Sequence, residues 1–331
     1  MTNRLRILGT GSALPDRVVT NEEVGAPLGL SAERIARLTG IRERRWVAEG
    51  QAASDLAIEA GRRALESAGL DATSIDTVLV STTSPDMAFP STACFVQKGL
   101  GCRGVGAFDV SASCSGFLYA LSMADAMARS GQVTTCLVIA AEVKSRFLDS
   151  ADEATAVLFG DGAGAVVVRA EEDRSPAPRG VQRIRLRADG AKHDLIRVPS
   201  GGSRQPASAE TVAAQGHVLR MHGAPLFRLA VRRVEQVVQD LLTECGVSIE
   251  EVGQVVLHQA NGRILSNVAA RLGVPPDRLV SVIERCGNTS SASFPIALDL
   301  AAREGRLKPG ELVLLGSFGG GLTWAAGLVR W

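Results

Sequence analysis

Ala68-Gly-Leu-Asp-Ala-Thr-Ser-Ile-Asp-Thr-Val-Leu-Val80 aligns without a gap on Cys245-Gly-Val-Ser-Ile-Glu-Glu-Val-Gly-Gln-Val-Val-Leu257, 177 residues further on. Each segment runs from a glycine that stops a helix, through a polar turn, into an apolar run of strand type. Each also follows a helical pattern, at 56–66 and 231–242. The next helix in both cases ends in Leu-Gly, at Leu100-Gly101 and Leu272-Gly273, here 172 residues apart. Any two βα units share that rhythm, but two matches at nearly one offset point to internal duplication. The polar stretch over 171–180, Glu-Glu-Asp-Arg-Ser-Pro-Ala-Pro-Arg-Gly, reads as the join. One half is therefore expected at 1–172 and the other at 173–331.

Working outward, short apolar runs predict strands at 77–82, 104–110, 135–140 and 163–169. Helical patterns fall between them at 54–68, 92–100 and 114–130. The second half predicts strands at 254–257, 279–283, 312–315 and 325–330, with helices at 224–244, 263–272 and 293–304. This alternation is that of a layered α/β fold. A Gly/Ser/Pro-rich loop at 199–215 is long enough to shape a binding site.

Composition narrows the function. The 331 residues carry 36 Lys+Arg and 35 Asp+Glu, a formal net charge of +1. That balance argues against a binder of nucleic acid or of an anionic membrane, which would show a basic excess. Nine Phe, three Trp and one Tyr leave little for base stacking. At 46% hydrophobic and 21% charged, the chain has an ordinary globular composition. No apolar run approaches the ~20 residues of a membrane helix, and the first residues lack a signal-type apolar core. The six cysteines show no C-x-x-C pair and read as reduced thiols of a cytoplasmic protein.

Three residues stand out by position. Cys114 follows the apolar run Gly106-Ala-Phe-Asp-Val110, inside Ser111-Ala-Ser-Cys-Ser-Gly-Phe117, and opens a helix too apolar for the surface. A free Cys is by default a small core residue. At a strand-to-helix junction it meets unpaired N–H groups and the positive end of the helix dipole, which favour the thiolate that attacks carbonyls. His258 ends the strand run Val255-Val-Leu257, on the sheet edge where open α/β sheets bind ligands. Asn288 repeats that placement ahead of a helix with Pro295 in its first turn. A lone His or Asn is more often structural, so the argument rests on three such junctions converging on one edge. Gly319-Gly-Gly321 reads as a tight turn or as a loop whose bare N–H groups stabilise an oxyanion. Gly9-Thr-Gly11 lacks the rest of a dinucleotide fingerprint, and no cluster has metal-ligand spacing. Neither cofactor nor metal is expected.

Several motifs together resemble the β-ketoacyl-acyl-carrier-protein synthase III family. They are Ser111–Phe117, His258-Gln-Ala-Asn261 with Arg263, Gly287-Asn-Thr-Ser-Ser-Ala-Ser293, and Phe318-Gly-Gly-Gly321 with Thr323-Trp324. Thr39-Gly-Ile-Arg-Glu-Arg44, Ala88-Phe-Pro90 and Gly160-Asp-Gly-Ala-Gly-Ala165 add to them, so the likeness spans the chain in order. It implies a thiolase fold, internally duplicated and five-layered (αβαβα), usually as a homodimer. It implies that Cys114 takes an acyl group from a thioester primer, carried by coenzyme A or by a carrier protein. Malonyl-acyl-carrier-protein is then decarboxylated to an enolate that condenses with the acyl group, the step that initiates fatty-acid biosynthesis.

By the same resemblance His258 and Asn288 hold the enolate oxygen, and the N–H groups of Cys114 and Gly320 form the oxyanion hole. Phe318 shields the pocket, and Phe89 reaches toward the partner's acyl pocket. Gln259, Ala260, Asn261, Gly262 and Arg263 contact the acidic carrier protein. Three positions depart from the family pattern around adenine: Arg34 replaces a stacking Trp, while Leu38 and Glu153 replace arginines. With the 199–215 loop, these changes fit a specialised relative, such as a quinolone- or pyrone-forming or polyketide-starter enzyme. Acyl transfer without condensation and a non-catalytic carrier-binding paralogue are the competing readings. Retention of Cys114, His258 and Asn288 counts against both.

Overall fold

The computed structural model describes residues 3–331. Ten strands form two five-stranded sheets. The first holds β1 (Asn3–Ala13), β2 (Thr77–Ser81), β3 (Gly106–Val110), β4 (Thr135–Glu142) and β5 (Gly162–Glu172) in the order β1-β5-β4-β2-β3. The second holds β6 (Gly180–Ala188), β7 (Val252–Leu257), β8 (Leu279–Val280), β9 (Leu312–Gly319) and β10 (Thr323–Arg330) in the order β6-β10-β9-β7-β8. The orders are the same pattern. In each sheet the three strands at one end run parallel and the other two pairings are antiparallel.

Six main helices complete the layers: α1 (Ala53–Ala68), α2 (Thr92–Leu100), α3 (Gly116–Arg129), α4 (Gly223–Cys245), α5 (Gly262–Leu272) and α6 (Ser293–Arg303). Strand alternation assigns their places. On β4, Leu137 and Ile139 pack against α1 and α2, while Cys136 and Val138 face the molecule's middle. On β9, Leu314 faces α4 and α5, while Val313 and Leu315 face the middle. That middle layer is α3 with α6. Both have sheets on two sides, so they must be apolar nearly all round. Phe117, Leu118, Phe294 and Ile296 are fully buried, and the Phe117 and Phe294 rings stack 6.3 Å apart. Close approach is possible because position 164 on β5 is glycine. A Cβ there would lie 2.6 Å from the Ile296 backbone nitrogen.

The thiolase-type duplication and layering follow expectation, with three differences of detail. Strands β1 and β6 were not expected. Both are sheet edges, and in the Arg-Ile-Arg-Leu-Arg run of β6 apolar side chains alternate with arginines, unlike the continuous runs of central strands. The strand expected at 279–283 is only Leu279–Val280, because a short helix begins at Ile283. The helix expected from 114 begins as a 3₁₀ turn over Ser113–Ser115, with α-helix proper from Gly116.

Arg44 of the Thr39–Arg44 motif is fully buried. It donates to Asn21 Oδ1 (2.9 Å), Val157 O (2.8 Å) and Val19 O (3.3 Å), so it braces the segment before Leu158 and Phe159. Burial draws its pKa down to about 10, against the pull of Glu23 and Glu43. Arg44→Ala would leave those acceptors unpaired around a cavity. A loss of roughly 3 kcal/mol or more is expected in urea unfolding, and an unchanged midpoint would refute the bracing role.

Candidate active site

Cys114 lies in the 3₁₀ turn between β3 and α3 and is 7% exposed. Ser113, immediately before it, takes a φ of +50°, a strained value for a non-glycine residue. The β9–β10 turn closes over it. A Cβ on Gly319 would lie 2.7 Å from the Cys114 backbone nitrogen, so only glycine permits this contact. The turn's next residue, Gly320, donates its N–H to Ser113 Oγ (3.1 Å) in this conformation. An oxyanion that uses the Gly320 N–H must displace that hydroxyl.

His258 follows β7, its backbone N–H donating to Gly316 O on β9 (2.9 Å). Its Nδ1 pairs with Ser293 Oγ at 2.8 Å, and the same oxygen accepts the Gln259 N–H at 3.2 Å. The Nδ1 bond fixes the orientation of the imidazole ring. Asn288 is held by its backbone to Leu158 and Gly160. Its Oδ1 accepts the Ser290 N–H at 2.9 Å, which leaves the Nδ2 hydrogens to donate.

These groups meet in one cavity of about 820 Å³. Cys114, His258, Asn288, Phe318 and Gly320 all line it, with mainly apolar walls such as Leu158, Ile196, Met221 and Phe227. Ile196 and Met221 pair in a two-stranded sheet that brackets the 199–215 loop. Arg228, Arg263, Asp152 and Glu153 stand among the lining residues with polar heads. Arg34 reaches Glu153 at 3.9 Å, both about half exposed, so two of the three departing positions form one ion pair.

Electrostatics set Cys114 apart. Burial pushes Cys136 up to about 12 and Cys286 up to about 11. Burial pushes Cys114 up as well. The charge and hydrogen bond of His258, the Ser290 hydroxyl at 3.4 Å and the Lys144 ammonium outweigh it and bring the thiol down to about 7. A thiol brought down toward neutrality can accept an acyl group, and N–H donors around it can hold a developing oxyanion.

Not every expected residue joins the site. Ala260, Asn261 and Arg263 line the cavity, with Asn261 Oδ1 capping the Arg263 N–H of α5 at 2.8 Å. Gln259 corrects its expected carrier contact. It is fully buried, with its amide bonded to Leu257 O, Val280 O and the Val282 N–H, so it holds the turn from inside. Gly262 packs on Thr39 and Gly40. Phe89 is 87% exposed and away from the cavity of its own chain. Sequence reasoning passed over Ser290 and Ser293, although both lie in the 287–293 motif. It also missed Arg228 and Lys144, whose only sequence signal was charge.

Comparison with known proteins agrees with this geometry. Residues 108–190 match the family model described as 3-oxoacyl-[acyl-carrier-protein (ACP)] synthase III, and residues 242–331 match its C-terminal model. The chain is 49% identical over 328 residues to the β-ketoacyl-[acyl-carrier-protein] synthase III of Erythrobacter litoralis, covering 99% of both chains. The crystal structure of the corresponding synthase of Aquifex aeolicus superposes with a TM-score of 0.90 at 42% identity, covering 99% of this chain and 100% of that one. The priming β-ketosynthase of the R1128 polyketide pathway gives 0.91 at 36% identity, over 99% and 96%. Full-length identity near one half, on a shared two-sheet frame, makes this chain a member of the β-ketoacyl-[acyl-carrier-protein] synthase III family.

Proposed function

We propose that this protein primes fatty-acid synthesis by decarboxylating condensation of an acyl thioester with malonyl-acyl-carrier-protein. The observation that carries the reading is the meeting of Cys114, His258 and Asn288 in one apolar-walled cavity. In the first half-reaction the Cys114 thiolate attacks the primer's carbonyl. A new S–C bond forms, the carrier thiolate leaves, and the proton shed by Cys114 goes to it. In the second, malonyl thioester loses CO₂, and the freed electron pair becomes an enolate. His258 Nε2–H and Asn288 Nδ2–H hold its oxygen. The enolate carbon then attacks the acyl-Cys114 carbonyl, and collapse releases the β-ketoacyl thioester and regenerates the thiolate. The N–H groups of Cys114 and Gly320 hold the oxyanion in the acyl-transfer steps. Intact-mass spectrometry after exposure to acyl-CoAs and acyl carrier proteins, followed by product analysis with malonyl-acyl-carrier-protein, tests the reading. No acyl adduct with any donor, or an adduct without condensation product, would overturn it.

The proposed partners follow from the surface. Phe89 and Met87, 87% and 47% exposed, are apolar side chains that a second copy of the chain would cover, which supports a homodimer. Six free cysteines fit a cytoplasmic enzyme. Arg263, exposed at the start of α5, and Arg228 present positive charge to an acidic carrier protein. Arg263→Glu is expected to raise KM for malonyl-acyl-carrier-protein roughly five- to ten-fold and to weaken its salt dependence. Turnover of a small malonyl thioester should barely change. An equal loss with both donors, measured at two ionic strengths, would place Arg263 in the active site itself.

The Arg34–Glu153 ion pair favours a second reading, in which the primer also arrives on a carrier protein, as for a specialised priming synthase. Faster loading from acyl-carrier-protein than from acyl-CoA would support it.

A further inference from the structure

Glu142, the last residue of β4, is fully buried, and Lys144 two residues on is 8% exposed. Neither lines the cavity. Lys144 Nζ lies 3.0 Å from Glu142 Oε2. The carboxylate also accepts from both halves of the molecule. From the loop after β2 come the Thr83 N–H (3.2 Å) and Ser84 Oγ (2.7 Å). From the turn carrying Asn288 come Ser290 Oγ (3.1 Å) and Ser291 Oγ (3.0 Å). Ser290 Oγ in turn stands 3.4 Å from Cys114 Sγ. One hydroxyl therefore separates the nucleophile from a buried carboxylate.

A buried ion pair is poor evidence of added stability, since an apolar pair of similar volume often does as well. Here the charges have a more specific consequence. A bare carboxylate one hydroxyl away would oppose formation of the Cys114 thiolate, and Lys144 cancels that charge. The carboxylate has enough other donors that the Ser290 hydrogen is free to turn to Sγ when sulfur ionises.

We propose that Glu142 and Lys144 are positioning residues for the Cys114 thiolate, the carboxylate fixing the Ser290 and Ser291 turn against sulfur and the ammonium neutralising that carboxylate. Burial pushes the Glu142 carboxyl up, but Lys144 and the hydroxyl donors outweigh it and keep it ionised. The other charged group facing Cys114 is His258, from the turn after β7. Asp161 is bonded to Ser145 and Val47, and Asp86 to Ser54 and Thr92, so both carboxylates are engaged elsewhere.

The inference rests on the proposed function only for its consequence in catalysis, and its test needs no acyl donor. Iodoacetamide labelling of the Cys114 peptide in the full chain, followed by mass spectrometry across pH, reads thiolate formation directly. Lys144→Met should move the labelling midpoint up by roughly half to one pH unit and slow labelling at neutral pH about three- to ten-fold. Glu142→Gln should move the midpoint down, because it leaves Lys144 uncompensated. Lys144→Arg should restore the wild-type midpoint. Two variants that break the same ion pair thus shift in opposite directions, which a merely structural role does not produce. Shifts in the same direction, or none, would overturn the proposal. If Glu142→Gln does not fold, the contrast between Lys144→Met and Lys144→Arg decides by the same midpoint. Normal labelling shifts with no acyl loading would instead count against the proposed function alone.

Discussion

Cys114→Ala is expected to abolish acyl loading while the protein stays folded. The substitution removes the sulfur and little else. Cys114 is buried among small residues, with Ser113 and Ser115 on either side and Gly319 against its backbone, so the space left is small. The lost sulfur is the thiol that its surroundings bring down to about 7, whereas burial raises Cys136 and Cys286 far above neutrality. Burial raises the third, Cys102, as well, so no other buried cysteine takes over at neutral pH. Intact-mass spectrometry of the variant with an acyl thioester checks this, alongside a thermal melt. An acyl adduct on the folded variant would refute the assignment.

His258→Ala and Asn288→Ala are each expected to slow malonyl decarboxylation by at least roughly 10²-fold, the usual cost of one oxyanion donor. Their effects on acyl loading should differ. Asn288 is not among the groups that set the Cys114 thiol, so loading in Asn288→Ala should be nearly normal. His258 lowers the thiol by charge and by hydrogen bond, so His258→Ala should also slow loading at neutral pH. Raising the pH should recover loading, since the thiolate fraction then returns. It should not recover decarboxylation. Measuring both half-reactions for each variant at two pH values tests the division of labour. Equal losses in both steps for Asn288→Ala would contradict it.

Much of this site was legible in the chain. Strand-end and helix-start signals at Cys114, His258 and Asn288 are local, carried by apolar runs followed by small or turn-forming residues. The structure brings all three to one cavity. Gln259 shows where such reading misleads. It sits between two cavity residues in a recognisable motif, yet the turn points its amide inward to β8. Phe318 lines its own chain's cavity while Phe89 faces outward, a difference that two isolated phenylalanines in sequence do not reveal. Strand β6 was overlooked for a physical reason too. An edge strand needs only one apolar face, so in β6 apolar residues alternate with arginines and form none of the continuous apolar runs by which the central strands were read.

By itself, the sequence determined the duplication, the α/β layering and the three junction residues. The layering and the junctions are written in periodicities and turn residues within a few positions of one another, where side-chain direction follows directly from backbone period. The duplication is written in the repetition of one such stretch 177 residues further on. Tertiary structure alone decided what surrounds the sulfur. Ser290 meets Cys114 across 176 residues and Glu142 across 148, and His258 meets Ser293 across 35. No local period encodes such pairs, because they exist only once α3 and α6 are packed between the two sheets. A buried charge tolerates that packing only with partners, so the fold gathers Lys144 and the hydroxyls of both halves around Glu142, one hydroxyl from the nucleophile.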